Sequence, residues 1–305
     1  MRLLALIVLL FNCFAPPAAA GPVNRQSTLT VAVLDFGDTD FGRRAADRVA
    51  RLLAEAGNAG AFKLRLVDRG LSRAAARGVG YRGSLNLTLR EARDLAAAVG
   101  CDFLLTGDAQ TLRRSPSGRD PFHEAYATVF LVSARTGRLV LWERPAAEAV
   151  TPERAEALLD EALDARAAAR YLAAAEAHAR EGLARPVPAA TPASLLDLSG
   201  EGPAPEDVRE PAPFRRVRPA YTEAAARAEA EATVDTLVEI DAGGRVSRVE
   251  VVRWAGFGLD ESVADAVRRM HFRPATRDGE PVASRVLLRY NFRRPSPEKK
   301  ETSRQ

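Results

Sequence analysis

Cysteine, lysine, histidine and aromatic residues are all scarce in this chain, and each scarcity removes an option. There are two cysteines in 305 residues. Cys13 lies in an N-terminal apolar run, and Cys101 stands alone in VGCDFLLTG. A lone cysteine cannot close an internal disulfide. With no supporting group beside it, Cys101 reads as a small buried apolar residue, not a nucleophile. The three histidines are His123, His178 and His271. None has a partner in a recognisable motif, and HExxH, GxSxG and CxxC are all missing. His123 and His178 read as surface residues, His123 just ahead of a strand. No acids and bases are spaced to meet on one substrate, so the sequence assigns no catalytic residue, metal ligand or cofactor. Lysine occurs only as Lys63, Lys299 and Lys300. The positive charge is arginine, interspersed with acids to a net +4. A nucleic-acid binder concentrates its base on one face, and that class is set aside. Aromatics make up 6% of a chain that is 47% hydrophobic, so the core must rest on Leu, Val and Ala.

A membrane-length apolar run is also missing. After Arg2 comes LLALIVLLFNCF and then APPAAAG. About 12 apolar residues fall short of the roughly 20 that span a bilayer. Residues 1–20 read as a signal peptide cut between Ala20 and Gly21, so the mature chain is expected to be exported. Two alternatives stay open. An uncleaved anchor would have to accommodate Asn12, Pro16 and Pro17. A lipid-modified Cys13 would need small residues that LFNC does not supply.

What is present is a strongly punctuated pattern. LTVAVLDF is a strand-length apolar run, and FGRRAADRVARLLAEAG places Phe41, Ala45, Val49, Leu52 and Leu53 on one helical stripe. FKLRLVDR reads as a second strand. Thr88 caps a helix that stops at Gly100, and CDFLLTGDAQ is a third strand. EAYATVFLVSA and RLVLWERP form a hairpin through Arg135-Thr136-Gly137. Strands alternating with helices, then a hairpin, predict a mixed sheet with packed helices over 28–150. Thr151-Pro152 opens an Ala-rich helix over 151–184, with room for a break. Residues 185–212, rich in proline, read as a semi-extended linker. A second domain follows at 213–294 and a polar tail at 295–305. The expected class is α+β. Asp35, Asp68, Asp102 and Asp108 fall at strand ends, where open α/β sheets bind ligands; caps are the competing reading.

The order VAVLDF, LVDRGL, GCDFLLTGDA and TGRLVLWE resembles the periplasmic α/β domain shared by the amino-terminal part of TolB and the curli-secretion CsgG and FlgO group. That resemblance implies an envelope protein making protein contacts.

In the second domain, ATVDTLVEI and RVSRVEVV form a hairpin through DAGG. Leu259, Val263, Ala266, Val267 and Met270 make one helical stripe. Asp260 and Glu261 lie in the helix's first turn and Arg268 and Arg269 in its last, the order the helix dipole favours. His271 is placed at the helix C-terminus. Pro274 stops the helix, Asp278-Gly279 turns the chain, and RVLLRYNF is a final strand. Val286, Leu288, Tyr290 and Phe292 alternate with Arg285, Leu287, Arg289 and Asn291.

PAYTEAA, ATVDTLVEIDAGGRV, LDESVADAVRRMHFRPATRDGEPV and SRVLLRYNF resemble, in order and spacing, the C-terminal domain of TonB-family proteins. Pro219, Tyr221, Gly244, Leu259, Asp260, Phe272, Pro274, Gly279 and Pro281 fall on the family's structural motif. Thr222, Ala232 and the Trp254-Ala255-Gly256 stretch depart from it, the last standing where small serines are usual. The resemblance implies a small antiparallel sheet with a packed helix. It implies a periplasmic protein of transmembrane transport that binds an extended segment of an outer-membrane TonB-dependent receptor, or another envelope protein, as an added strand. Arg285 to Phe292 would then be the partner-binding edge, since an edge strand offers unpaired backbone groups. Arg285, Arg289 and Arg293 would give it positive charge suited to an acidic segment; keeping an edge strand from aggregating is the competing reading. A role in energy transduction would also need a spanning helix with a Ser-xxx-His pattern, and residues 3–20 have no histidine. The alternative is an envelope-assembly or scaffold protein built from the same domains.

Overall fold

The computed structural model describes residues 28–57, 62–184, 195–200 and 202–294. The signal-peptide reading, the polar tail and residues 185–194 of the linker lie outside the described residues.

The first half runs β1 (Thr28–Phe36), α1 (Asp40–Ala56), β2 (Lys63–Leu66), α2 (Arg69–Gly78), α3 (Leu89–Val99), β3 (Phe103–Arg114), β4 (Phe122–Ser133), β5 (Leu139–Glu143), β6 (Ala146–Ala149), α4 (Pro152–Ala162) and α5 (Ala165–Ala184). Its sheet has the order β2-β1-β3-β4-β5, with β6 also on β4. β1 runs parallel to β2 and β3, whereas β3, β4 and β5 are antiparallel. Alternation along the strands divides the apolar residues between two faces. Val31, Val33, Phe103, Leu105, Val129 and Leu131 share a core with α1, α4 and α5. Ala32, Leu34, Leu104, Phe130 and Val132 share another with α2 and α3. Side-chain caps start most of these helices. Thr88 and Glu91 form a reciprocal capping box on α3. Asp68 accepts from the Leu71 N–H at the start of α2.

Several boundaries differ from expectation. The chain after LVDR turns at once into α2, whose Arg- and Ala-rich sequence carries little apolar signal. His123 lies inside β4, because β3 and β4 pair over twelve residues each. The Ala-rich helix breaks at Leu163-Asp164, where Asp164 accepts from the Arg166 and Ala167 N–H groups and caps α5.

The second half runs β7 (Leu196–Leu198), β8 (Val208–Arg209), β9 (Ala212–Arg215), α6 (Glu223–Ala228), β10 (Ala232–Ile240), β11 (Val246–Arg253), α7 (Leu259–Arg268), β12 (His271–Arg273), β13 (Ala275–Arg277), β14 (Glu280–Val282) and β15 (Ser284–Phe292). The main sheet is β11-β10-β15-β7, and α7 packs on it. Two small sheets flank it, β12-β9 and β14-β13-β8. The described part of the expected linker is thus not a free spacer. β7, β8 and β9 each pair with a strand of the C-terminal unit, because their extended backbones find unpaired edges there. His271 belongs to β12, not to a helix end, and α7 closes at Arg269.

The two halves form one packed body. Phe130 of the first sheet sits 5.6 Å from Trp254 and 5.7 Å from Phe257, ring centre to ring centre, and Trp142 lies 5.4 Å from Phe257. Trp254 is 2% exposed. Its indole N–H donates to the Gly137 carbonyl at 2.9 Å, satisfying the one polar atom that burial would otherwise strand. The Asn86 side chain accepts from the Thr233 N–H and donates to the Thr233 and Trp254 carbonyls. Arg138–Glu250 and Arg114–Glu229 cross the same junction.

Candidate partner-binding edge

The expected edge strand is β15. It pairs with β10 without interruption, from Ser284↔Ile240 to Phe292↔Ala232. Val286, Leu288, Tyr290 and Phe292 face the core, as their alternation predicts. On its other side β15 is not wholly open. β7 lies parallel along Ser284, Arg285 and Val286, and the Leu196 N–H donates to the Ala283 carbonyl at 2.9 Å. The edge reading is therefore corrected for the first third of the strand. Beyond Val286, no strand lies against this side among the described residues.

These contacts fix the orientation of the remaining backbone. The Ala283 carbonyl points outward to β7, and the Leu288 carbonyl points inward, accepting from the Thr236 hydroxyl. Backbone groups alternate sides along an unbulged strand. Those of Leu287, Arg289 and Asn291 therefore face outward, and those of Leu288 and Tyr290 face β10.

The charge expected along this edge is largely spent inside the sheet. Arg285 pairs with Glu239 at 2.7 Å and with Asp197 of β7 at 3.7 Å. Arg289 holds the side chain of Asp235, 5% exposed, which Arg253 grips from the opposite strand. A carboxylate taken that far out of water needs such partners, so these two arginines are structural. Arg293 is exposed.

The residues of the family motif serve the frame. Pro219 leads into α6, which begins at Thr222 where the family has proline. The Thr222 hydroxyl caps Ala225 and donates to the Phe257 carbonyl. Tyr221 donates to the Ala225 and Ala230 carbonyls and lies 6.3 Å from the Phe292 ring. Gly244 sits at φ +81, and a Cβ there would fall 1.9 Å from the Phe272 carbonyl oxygen, so the hairpin can pass β12 only with glycine. Leu259 and Phe272 are buried. Pro274 separates β12 from β13. Asp278 and Gly279, both at positive φ, turn β13 into β14, where Pro281 pairs with Thr276.

Asp260 does more than complement a helix dipole. Its carboxylate accepts from the Ala255 and Gly256 N–H groups at 2.8 and 2.9 Å, clamping the loop that carries Trp254 and Phe257. Burial outweighs those bonds and pushes its carboxyl up to about 6. Gly256, at φ +74, lets the loop lie flat on Phe130, since a Cβ would sit 2.4 Å from that ring.

The other candidates are engaged internally. Asp35 pairs with Arg69 and Arg73, Asp102 accepts from the Thr30 N–H, and Asp108 accepts from the Tyr126 hydroxyl. Cys101 is partly buried, and burial, with the Asp102 charge second, pushes its thiol up to about 12. His178 is not a surface residue. It packs edge-on against Phe103, its Nε2 is buried, and desolvation lowers its affinity for a proton. Among the described residues no group of acids, histidines and cysteines could hold a metal ion, and no helix is long and apolar enough to cross a membrane.

Comparison with known proteins bears on the second half. Residues 217–293 match the family described as Gram-negative bacterial TonB protein C-terminal. Protein TonB of Xanthomonas campestris pv. campestris is 36% identical over 75 residues, 24% of this chain and 34% of that protein. The chain thus spans about a third of the length of the curated relatives it matches. Among solved structures, the TonB C-terminal domain of Pseudomonas aeruginosa is 22% identical and covers 33% of this chain and 96% of its own, with a TM-score of 0.26. A hypothetical protein from Chlamydia trachomatis is 13% identical and covers 48% and 99%, with a TM-score of 0.32. Over residues 217–293, then, this chain carries a TonB-type C-terminal domain.

Proposed function

We propose that this chain is a periplasmic protein of transmembrane transport whose C-terminal domain takes up an extended segment of an outer-membrane receptor as an added strand along β15. The supporting observation is the outward backbone of Leu287 and Asn291 on a side of β15 that β7 covers only as far as Val286. Main-chain hydrogen bonds would supply the affinity and alternate side chains the specificity. The N-terminal unit, with its TolB/CsgG/FlgO-like strand order, serves as a second protein-contact surface. Titrating receptor-derived peptides into the isotopically labelled chain tests the first claim. The amides of Leu287 to Phe292 should shift. A series of peptides that leaves them unmoved removes the strand-addition reading. Energy coupling is a separate property. Mass spectrometry of the mature protein bears on it, since cleavage before Gly21 removes the apolar stretch of residues 3–20 that could reach a membrane partner, whereas retention of Met1 keeps it.

A second reading, an envelope-assembly scaffold, is favoured by one feature. The C-terminal domain is docked on the first through Trp254, Phe257 and Asn86. A fixed pair of surfaces suits holding two partners in register.

A further inference from the structure

Most arginines of the C-terminal sheet have acidic partners, as Arg248, Arg253, Arg285 and Arg289 show. One group departs from this. Arg245 bridges to His271 on one side of β12, and Arg215 of β9 pairs with His271 on the other. Paired residues on neighbouring strands project from the same face, so Arg245, His271 and Arg215 form a row across three strands. Arg273, two residues along β12, shares that outward face, because Phe272 between them turns into the core at 2% exposure. All four are exposed, and no salt bridge joins these three arginines to an acid among the described residues. Asp241, the acid closest to Arg245 in the hairpin, turns its carboxylate onto the Gly243 and Arg245 backbone N–H groups. Beside the row, Phe214 leans on His271 with ring centres 6.0 Å apart and is 63% exposed.

Two arginines flank one imidazole and a third lies two residues along β12, with no acid paired to them among the described residues to balance the charge, and a large apolar ring in water gains nothing for the fold. Both features gain a purpose if an anionic, partly apolar surface covers them. The place in the fold agrees. The β10–β11 hairpin meets the first domain at its Thr233 and Arg253 end, through Asn86. The patch is at the opposite, turn end. Its residues take no part in the contacts that dock the two halves.

We infer that this tip of the C-terminal domain is a membrane-surface site that binds anionic phospholipid headgroups, with the three arginines on the phosphates and Phe214 in the interfacial layer. The site does not depend on strand addition and can be tested without a receptor. An arginine at an anionic bilayer surface contributes about fivefold in partitioning.

The test is vesicle flotation of the full chain at physiological salt, comparing phosphatidylcholine with phosphatidylcholine containing about one third phosphatidylglycerol. The chain should float with the anionic vesicles and not with the neutral ones. A variant carrying Arg215→Gln, Arg245→Gln and Arg273→Gln should lose about a hundredfold in partitioning, whereas Arg90→Gln, Arg93→Gln and Arg166→Gln on the first domain should change it little. The three side chains are exposed and make no salt bridge among the described residues, so the first variant should melt no lower than the parent. Phe214→Ser should lose several-fold on its own. Equal binding to neutral vesicles, no binding to either, or equal losses in the two triple variants would overturn the assignment.

Discussion

Asp260 illustrates how much one carboxylate can carry. It ties the Trp254–Phe257 loop to α7 through two backbone N–H groups. Its proton is held to about pH 6 because burial costs the charged form more than those bonds return. The folded state therefore binds this proton more tightly than the unfolded one. The contribution to stability is full below the ordinary carboxylate range and is lost as pH rises through about 6, a span of about 2–3 kcal/mol. Glu91, Asp164 and Asp197 are held low and act in the opposite sense, in a more acidic window. Denaturant unfolding of the parent and of Asp260→Asn between pH 4 and 7 isolates the effect. The parent should lose stability across that range relative to the variant; parallel curves would show that Asp260 is ionised throughout. In the sequence Asp260 was legible as a helix-start acid. Its loop contacts were not, because they depend on Gly256 adopting a positive φ against a ring from the other domain.

At the scale of elements, the long apolar patterns read correctly and most of the very short strands did not. β1, β10, β11, α7 and β15 each have enough residues to show a period. β7, β8, β9 and β12 to β14 have two to four residues each, too few for alternation to register, and most of their stability comes from the strand beside them. Proline composition alone therefore suggested a spacer where the chain completes sheets. The same scale decides the partner edge. Leu287 turns its N–H outward, so Leu287→Pro should abolish uptake of a partner strand while the chain remains folded. Leu288 faces β10, so Leu288→Pro should instead remove a ladder hydrogen bond and cost about 1–3 kcal/mol of stability. Isothermal titration with a binding peptide, alongside thermal melts, separates the two outcomes. β7 occupies the same side of β15 through the Leu196 N–H. Leu196→Pro should free Ser284 to Val286 and raise peptide affinity several-fold, and an unchanged or weaker affinity would show that β7 does not compete.

At the scale of the whole molecule, the two halves share one apolar cluster. Removing the Trp254 side chain should cost about 3–5 kcal/mol and split a single calorimetric transition into two. A single sharp transition in Trp254→Ala would mean that the halves are coupled elsewhere. The sequence set Trp254-Ala255-Gly256 apart as a departure from the family's small serines. It could not show that the departure is the contact between domains, because no periodicity links Trp254 to Phe130 or Gly137.

The docking through Trp254, Phe257 and Asn86 has a consequence for chain continuity. The peptide bonds between residues 185 and 194 join two bodies that already hold each other, so their main physical effect is to raise the effective concentration of one for the other. A protease cut there should yield two fragments that co-elute as one particle and separate only in denaturant. Fragments expressed apart should reassemble when mixed.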